Sequence, residues 1–254
     1  MTQLNIEGST ALVTGSNRGI GRAITEALLE RGAKKVYAAA RRAESVADLV
    51  ETYGDRVVPV ALDVTNREQV RAAAESAADV ELLFNNAGVA ELGGQPFEAE
   101  GWADAARREF EVNTIGTLDV TQQFAPVLAA NGGGGVANVV SIAALTNFPL
   151  FMSYSFSKAA LHSLTQASRL FLGAQGTQVF GIYPGPVDTD MAEEVEFEKT
   201  SPSVVANAIL DGVEAGTEEI YPDPMAEQFG AGFEASPKGL ELQVQQMVQE
   251  MAEA

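Results

Sequence analysis

The sequence predicts a doubly wound α/β fold, in which helices cover both faces of a parallel sheet of about seven strands. Short apolar stretches of strand length alternate with stretches of helical periodicity through most of the 254 residues, and strands joined by helices run parallel. Glycine, asparagine, serine or proline follows the ends of four of these strands, where such sheets bind ligands. We expect residues 1–254 to form one domain, because the chain is long enough for one large core.

The first strand, its turn and the following helix have the pattern of a phosphate-binding site. The apolar run Thr10–Thr14 is followed by the letters GSNRGIG and by a helix whose apolar residues recur at helical spacing as far as Gly32. Glycines let the backbone approach a pyrophosphate, and the free amides and dipole of a helix start favour negative charge. An ordinary tight turn is the alternative. The predicted cofactor contacts in this turn are Gly15, Ser16, Asn17, Arg18, Gly19, Ile20 and Gly21.

The end of the second strand, residues 35–40, predicts which dinucleotide binds. Arg41 and Arg42 follow it directly. In dinucleotide-binding folds an acid at this strand end binds the ribose 2′-hydroxyl of NAD, whereas an arginine accommodates the 2′-phosphate of NADP. These two arginines, together with Arg18, therefore predict NADP(H). The alternative is a solvated basic pair at a strand exit.

The alternation continues through the middle of the chain. We expect helices at residues 43–53, 67–77 and 102–128, and strands at 56–61 and 80–84. Asp63 and Val64 follow the third strand and are expected beside the adenine, although Asp63 could instead cap the next helix. Residues 85–88 (NNAG) follow the fourth strand at the same edge of the sheet.

The last third of the chain contains the remaining strands. A strand ending at Ser141 precedes a helix that extends to about residue 172, and a strand at 178–183 leads into PGPVDT. A helix at 202–215 and a strand at 219–221 follow. We expect an irregular, acidic tail at 222–254, in which residues 243–251 form either an amphipathic helix against a neighbouring subunit or a frayed end.

Tyr154 and Lys158 lie one helical turn apart and therefore share a helix face. An isolated tyrosine, with a pKa of about 10, is almost wholly protonated at pH 7. A cation about 4 Å away in a partly desolvated cleft contributes about 4 kcal/mol, enough to lower that pKa by about three. With Ser141 on the same substrate oxygen, the three side chains would form an acid/base site for a carbonyl or an alcohol. The motif alone also arises by chance in many chains.

Composition excludes several classes of protein. There is no cysteine and only one histidine, His162, so disulfides, zinc–thiolate sites and multi-histidine metal sites are excluded. The net charge of −19 disfavours nucleic acid and anionic membranes as partners. Residues 1–42 nevertheless carry a net +4, so an anionic ligand belongs there. The N-terminus has no signal-peptide pattern, and we expect a cytoplasmic protein.

Together these motifs resemble those of the short-chain dehydrogenase/reductase family, in its short single-domain form. The spacing Thr14-Gly-x3-Gly19-x-Gly21 is similar to the family's cofactor turn, and residues 85–88 resemble its sheet-stabilising motif. The resemblance spans about residues 8–221 and implies a Rossmann-like fold that binds NADP(H). The catalytic residues it implies are Asn113, Ser141, Tyr154 and Lys158, and the further cofactor contacts are Asn86, Ala87, Gly88, Tyr154, Lys158, Pro184, Gly185, Val187 and Thr189.

The resemblance also implies what these residues do. Tyr154 is the general acid in reduction and the base in oxidation, while Lys158 lowers its pKa and binds the nicotinamide ribose. Ser141 positions the substrate oxygen, and Asn113 supports a water-mediated proton relay through the lysine. The implied activity is that of an NADP(H)-dependent carbonyl reductase or alcohol dehydrogenase. The family commonly assembles through its two long central helices, so a homodimer or homotetramer is expected.

The substrate is the least determined part of the prediction. The acidic loop at about 190–201 and the tail contribute apolar anchors, among them Met225, Phe229 and Phe233, which favour a small neutral ketone, aldehyde or alcohol. A β-ketoacyl-thioester reductase is the alternative within the family. A non-catalytic NADP(H)-binding redox sensor is an alternative of another class, and would be expected to lack Ser141, Tyr154 or Lys158. A nucleotide-sugar epimerase would need a larger C-terminal domain.

Overall fold

Seven strands form one parallel sheet, as the sequence predicts. The computed structural model describes residues 4–91, 97, 100–193 and 197–253. Each strand is short, and the inner strands are mostly buried because helices cover both faces of the sheet, whereas in the edge strand Val57–Ala61 only Val57 is buried. The strands are β1 (Thr10–Thr14), β2 (Lys35–Ala40), β3 (Val57–Ala61), β4 (Leu82–Asn85), β5 (Gly135–Val139), β6 (Gln178–Ile182) and β7 (Glu219–Ile220).

The order of the strands creates the crevice in which ligands bind. The sheet reads β3-β2-β1-β4-β5-β6-β7, so the chain winds outward from β1 to β3 and then crosses back to place β4 on the other side of β1. The connections after β1 and β4 therefore leave in opposite directions, and a crevice opens at the carboxyl ends of these two strands. This order confirms the doubly wound α/β fold.

Nine helices of the described chain surround the sheet. Successive side chains of β1 point to opposite faces of the sheet. Val13 packs in the apolar cluster beneath the first and seventh helices, whereas Leu12 packs in the cluster beneath the third and fifth helices. The helices are α1 (Gly19–Glu30), α2 (Ala47–Tyr53), α3 (Arg67–Ser76), α4 (Trp102–Phe110), α5 (Thr117–Ala130), α6 (Met152–Leu172), α7 (Pro202–Ala215), α8 (Pro224–Ala235) and α9 (Pro237–Glu253).

The long central helix predicted at 102–128 is not one regular helix. A π-helical segment, Glu111–Gly116, separates α4 from α5, and such a segment accommodates an extra residue within a helix. Gly116 lies against Val64, where an added Cβ would come within 2.7 Å of the valine Cγ2. The segment contains Asn113, which the resemblance assigns to the catalytic set.

The prediction of an irregular tail is wrong, because α8 and α9 occupy most of residues 222–254. Leu240 and Val244 of α9 are buried with Phe229 of α8 in a third apolar cluster. The Phe148 and Phe229 rings stack in this cluster, with centroids 5.6 Å apart. The apolar face of α9 therefore packs on its own chain, which is neither of the two predicted alternatives for this segment.

Several element boundaries also differ from the prediction. The strand expected to end at Ser141 ends at Val139, and the helix expected at 43–53 begins with a 3-10 turn, Ala43–Val46. The predicted substrate loop lies partly outside the described residues, because residues 194–196 are not among them. Within the described ranges, none of the helices has the length and apolar character needed to cross a bilayer.

The packing around His162 makes stability depend on pH. Its Nδ1 lies 2.6 Å from the Tyr183 hydroxyl, and Gln166 contacts its Nε2. Burial lowers the pKa of His162 below its usual 6.5; nearby Glu219 opposes this shift and Arg169 adds to it. The unfolded chain therefore binds the proton more readily, so stability present above pH 6.5 is lost as the pH falls through the lower folded value.

We therefore expect a His162→Gln variant to lose less thermal stability than the wild type between pH 7.5 and pH 5.5. The difference between the two unfolding midpoints at each pH gives the contribution of His162 protonation to stability, because the carboxylates titrate alike in both proteins. Parallel midpoint curves would contradict this assignment.

Candidate active site

A cavity of about 700 Å³ opens at the carboxyl ends of the strands. It begins at the glycine turn after β1, passes the ends of β4 and β5, and reaches α8 and α9. Most of the predicted site residues come together in its wall. These are Gly15, Asn17, Arg18, Gly19, Ile20, Arg41, Arg42, Asp63, Val64, Asn86, Ala87, Gly88, Ser141, Tyr154, Lys158, Pro184, Gly185, Val187 and Thr189.

Three predicted residues lie behind the wall instead. The Ser16 hydroxyl is buried and donates to the carbonyl oxygen of Val13 at 2.7 Å. Gly21 packs so closely that an added Cβ would lie 2.3 Å from both the Gly15 carbonyl oxygen and the Asn86 amide nitrogen. The third is Asn113, which is fully buried. Ser16 and Gly21 therefore shape the turn from within, and their side-chain positions do not face the cavity.

The glycine turn is held against the end of β4 by one threonine and one asparagine. Thr14 Oγ1 accepts hydrogen bonds from the backbone amides of Asn86 and Ala87, both at 2.9 Å. In return, Asn86 Nδ2 donates to the carbonyl oxygens of Thr14 at 2.9 Å and Gly15 at 3.3 Å. The first turn of α1, which follows at Gly19, contains no acidic residue. Its free amides can therefore accept an anion.

Arginines surround the part of the cavity next to the turn. Arg41 and Arg42 are both exposed, and neither pairs with a carboxylate within the described part of the chain. Arg18 pairs with Asp190 at 2.7 Å, and both side chains are mostly exposed. Two of the three predicted phosphate-binding cations therefore pair with no carboxylate of the described residues.

Asp63 lines the cavity and does not cap a helix. Its Oδ1 accepts hydrogen bonds from the amide of Thr65 at 3.0 Å and from the Thr65 hydroxyl at 2.7 Å. The N-cap of α3 is Asn66, whose side chain accepts from the amides of Glu68 and Gln69. Of the two predicted roles of Asp63, the helix cap is therefore wrong.

Ser141, Tyr154 and Lys158 lie together, but the lysine does not act on the tyrosine as predicted. Lys158 Nζ is 5.6 Å from the centre of the Tyr154 ring and donates to the Val139 carbonyl oxygen at 2.8 Å. Burial lowers the pKa of Lys158 to about 7. Burial also raises the pKa of Tyr154 to about 12, although a hydrogen bond with Ser141 opposes this shift. Tyr154 therefore keeps its proton at neutral pH.

Asn113 fixes the backbone next to the cavity. Its side-chain oxygen accepts from the Val89 amide at 2.8 Å, and its nitrogen donates to the Val89 carbonyl oxygen at 2.9 Å and to Ser157 Oγ at 3.0 Å. One turn earlier, the buried Glu109 accepts from the amide of Glu91 at 2.7 Å. Both side chains thus hold the segment after β4, which lines the cavity. Sequence reasoning did not single out Glu109.

Sequence reasoning identified the loop that carries Met191 and Phe197, but it missed the other apolar residues of the wall, Phe148, Phe151 and Met247. Phe148, Phe151, Met191, Phe197 and Met247 line the cavity. They come from loops and from α9, and apolar residues in such positions carry no motif that could identify them. Met225 was expected to anchor the substrate and does line the cavity, whereas Phe229 lies behind it, in the third apolar cluster.

Comparison with known proteins gives the family. The sequence model described as short chain dehydrogenase matches residues 9–200. The chain is 31% identical over 241 residues to the 3-oxoacyl-[acyl-carrier-protein] reductase of Vibrio cholerae, covering 92% of this chain and 93% of that protein.

Two solved structures share the fold over nearly the whole chain. A short chain dehydrogenase from Burkholderia cenocepacia in complex with NADP is 42% identical, with a TM-score of 0.88, over 95% of this chain and 99% of that one. A short chain dehydrogenase/reductase from Burkholderia phymatum in complex with NAD is 27% identical, with a TM-score of 0.81, over 96% and 97% of the two chains. The chain therefore belongs to the short chain dehydrogenase family and is an oxidoreductase of that family.

Proposed function

We propose that the protein is an NADP(H)-dependent oxidoreductase that reduces a ketone or aldehyde to the alcohol and, in reverse, oxidises a secondary alcohol. The observation that carries the proposal is the position of Ser141, Tyr154 and Lys158 in one cavity with the glycine turn. The cavity thus joins groups that can exchange a proton to a surface that suits a dinucleotide.

The cavity wall fits a dinucleotide phosphate. Glycines occupy the turn where a Cβ would clash, and the first turn of α1 has no acid. Two arginines that pair with no described carboxylate directly follow β2 and line the cavity. Gly15, Asn17, Arg18 and Gly19 would hold the pyrophosphate, and Pro184, Gly185 and Val187 would lie beside the nicotinamide. When bound, the nicotinamide supplies the hydride.

The proton is handled by the protein's own side chains. Tyr154 donates the proton of its hydroxyl to the carbonyl oxygen, since its raised pKa keeps that proton in place until negative charge develops on the oxygen. Ser141 orients the same oxygen through its hydroxyl. The buried Lys158 is proposed to return a proton to Tyr154 from water, and Asn113 is proposed to support this relay through the lysine.

Arg41 and Arg42 favour NADP(H) over NAD(H). They are exposed to the cavity and no described carboxylate neutralises them, so a 2′-phosphate would gain two charge-assisted hydrogen bonds. The B. cenocepacia structure with NADP is in keeping with this choice, whereas the B. phymatum structure with NAD shows that related chains differ.

The proposal is tested by following NADPH oxidation with neutral ketones, aldehydes and β-keto thioesters in parallel. We expect turnover of the neutral carbonyl compounds and a much lower kcat/KM when NADH replaces NADPH. Activity confined to the thioesters would favour the β-ketoacyl-thioester reductase, which the V. cholerae relative makes the second candidate. NADPH binding without turnover of any carbonyl compound would favour a redox sensor.

The exposed surface of α6 supports a homodimer or homotetramer. Phe156, Leu170 and Phe171 are 42%, 83% and 80% exposed on this helix, and Phe110 is 38% exposed on α4. Apolar side chains in this number on one surface are typical of an interface between proteins. We also propose a cytoplasmic location.

A further inference from the structure

We propose that the substrate carries a bulky, uncharged, apolar group, and that α8 and α9 form the wall that binds it. This inference rests on the proposed function, because it concerns the part of the substrate that does not react. The sheet order places β7, and with it α8, on the opposite side of the catalytic residues from the glycine turn. The cavity therefore has a cofactor end and a substrate end.

The substrate end is lined by methionine and phenylalanine from four separate parts of the chain. Met191 follows β6, Met225 begins α8, and Met247 belongs to α9. Phe148 and Phe151 come from the segment between Ser141 and Tyr154. Methionine is unbranched and adapts to irregular apolar shapes, so this wall suits a large aliphatic or aromatic group of the substrate.

Two buried contacts fix α8 beside the reacting groups. Asp223 caps α8 by accepting from the amide of Ala226 at 2.9 Å, and its second oxygen accepts from the amide of Gly185 at 2.8 Å. The start of α8 is thereby tied to the turn after β6, and an added Cβ at Gly185 would lie 3.3 Å from the Met225 Cβ. The stacked rings of Phe148 and Phe229 join α8 to the segment before Tyr154.

Helix α9 completes the wall from outside. Its Leu240 and Val244 are buried in the third apolar cluster, and Met247, one turn further on, is partly buried beside that cluster and reaches the cavity. Met225 and Met247 both lie outside residues 9–200, which the family model matches. Membership of the family therefore assigns neither of them a role.

The substrate end of the cavity disfavours acidic substrates, because no lysine or arginine of the described residues lines it beyond the reacting groups. Among the described residues that line the cavity, Arg18, Arg41, Arg42, Asp63 and Asp190 belong to the cofactor end, and only Lys158 lies among the reacting groups. In the sequence, residues 92–96 and 194–196 contain no lysine or arginine. A carboxylate entering here would lose its hydration without gaining a cationic partner, which is unfavourable.

The test compares three ketones that share a six-membered ring: cyclohexanone, 2-decalone and 4-oxocyclohexanecarboxylate. Binding to the NADP⁺-loaded protein is measured by calorimetry, and turnover is measured separately with NADPH. We expect 2-decalone to bind at least about tenfold more tightly than cyclohexanone, and the carboxylate at least about tenfold more weakly.

The variants assign the effect to α9. Met247→Ala should weaken 2-decalone binding about tenfold and leave cyclohexanone binding unchanged. Leu242→Ala is the matched control, because Leu242 is 54% exposed on the same helix and should change neither. Should Met247→Ala have a lowered unfolding midpoint, Met247→Gln keeps the length of the side chain and is expected to give the same selective loss.

The results distinguish a failure of the apolar substrate wall from a failure of the proposed oxidoreductase function. Equal binding of the two neutral ketones, preferential binding of the carboxylate, or equal losses in the Met247 and Leu242 variants would overturn the inference. Turnover of all three ketones without a size preference overturns the inference alone and leaves the proposed function. Tight, selective binding of 2-decalone without turnover supports the inference and contradicts the proposed function.

Discussion

A Tyr154→Phe variant is expected to lose at least about 100-fold in kcat while its affinity for NADPH stays within about twofold of the wild type. General acid catalysis by a positioned side chain contributes about 10²–10⁴-fold, and this variant removes the proton but keeps the ring that fills the cavity wall. Steady-state kinetics with a neutral ketone and fluorescence titration with NADPH measure the two quantities.

Tyr53→Phe is the control for this experiment. Tyr53 ends α2 and packs against the core cluster that includes side chains of α1. Its replacement by phenylalanine therefore also removes one hydroxyl from a partly buried position. It does not line the cavity, and its kcat should match that of the wild type. Retention of turnover in Tyr154→Phe would refute the role of Tyr154, and an equal loss in both variants would point to damaged folding.

The double variant Arg41→Ala/Arg42→Ala is expected to lower kcat/KM for NADPH by about 10- to 100-fold and to leave kcat/KM for NADH nearly unchanged. A hydrogen bond to a charged group contributes about 1.5–3 kcal/mol. A free-energy difference of about 1.4 kcal/mol corresponds to a factor of ten in kcat/KM. The lower part of the range applies because both side chains are exposed.

The control for the arginine pair is Arg107→Ala, a variant that removes an exposed guanidinium on α4 that does not line the cavity. Both variants are assayed with NADPH and NADH at two salt concentrations. The ratio of the two cofactor efficiencies should change only in the double variant. A similar loss with NADH would show that the arginines do not distinguish the cofactors by the 2′-phosphate.

The sequence predicts the sheet well because its signals are local. The residues that end each strand and the helical spacing after Gly19 are read from short windows, and the alternation of strands and helices predicts a parallel sheet. The break in the helix at 102–128 could not be read in this way: no local pattern marks it, and Gly116 of the π-helical segment packs against Val64, which is distant in the sequence. The tail did offer a signal: Leu240, Val244 and Met247 have helical spacing.

In the site, motifs predict positions better than they predict chemistry. The order of Ser141, Tyr154 and Lys158 in the sequence places them in one cavity. The direction of the lysine side chain could not be predicted: Lys158 donates to the Val139 carbonyl oxygen, and burial is the main cause of the raised pKa of Tyr154. Residues without a motif, such as Met247 and Glu109, are identified only by their three-dimensional neighbours.

The π-helical segment between α4 and α5 makes chain length, as well as residue type, a requirement of this protein. Deleting one residue from Glu111–Gly116 would restore a regular helix, but would turn the residues on either side by about 100° relative to one another. The Asn113 side chain would then lose its hydrogen bonds to the Val89 amide and to Ser157 Oγ. In an alignment of relatives, a gap within this segment would therefore be more informative than any substitution, because it marks chains that build this wall of the cavity differently.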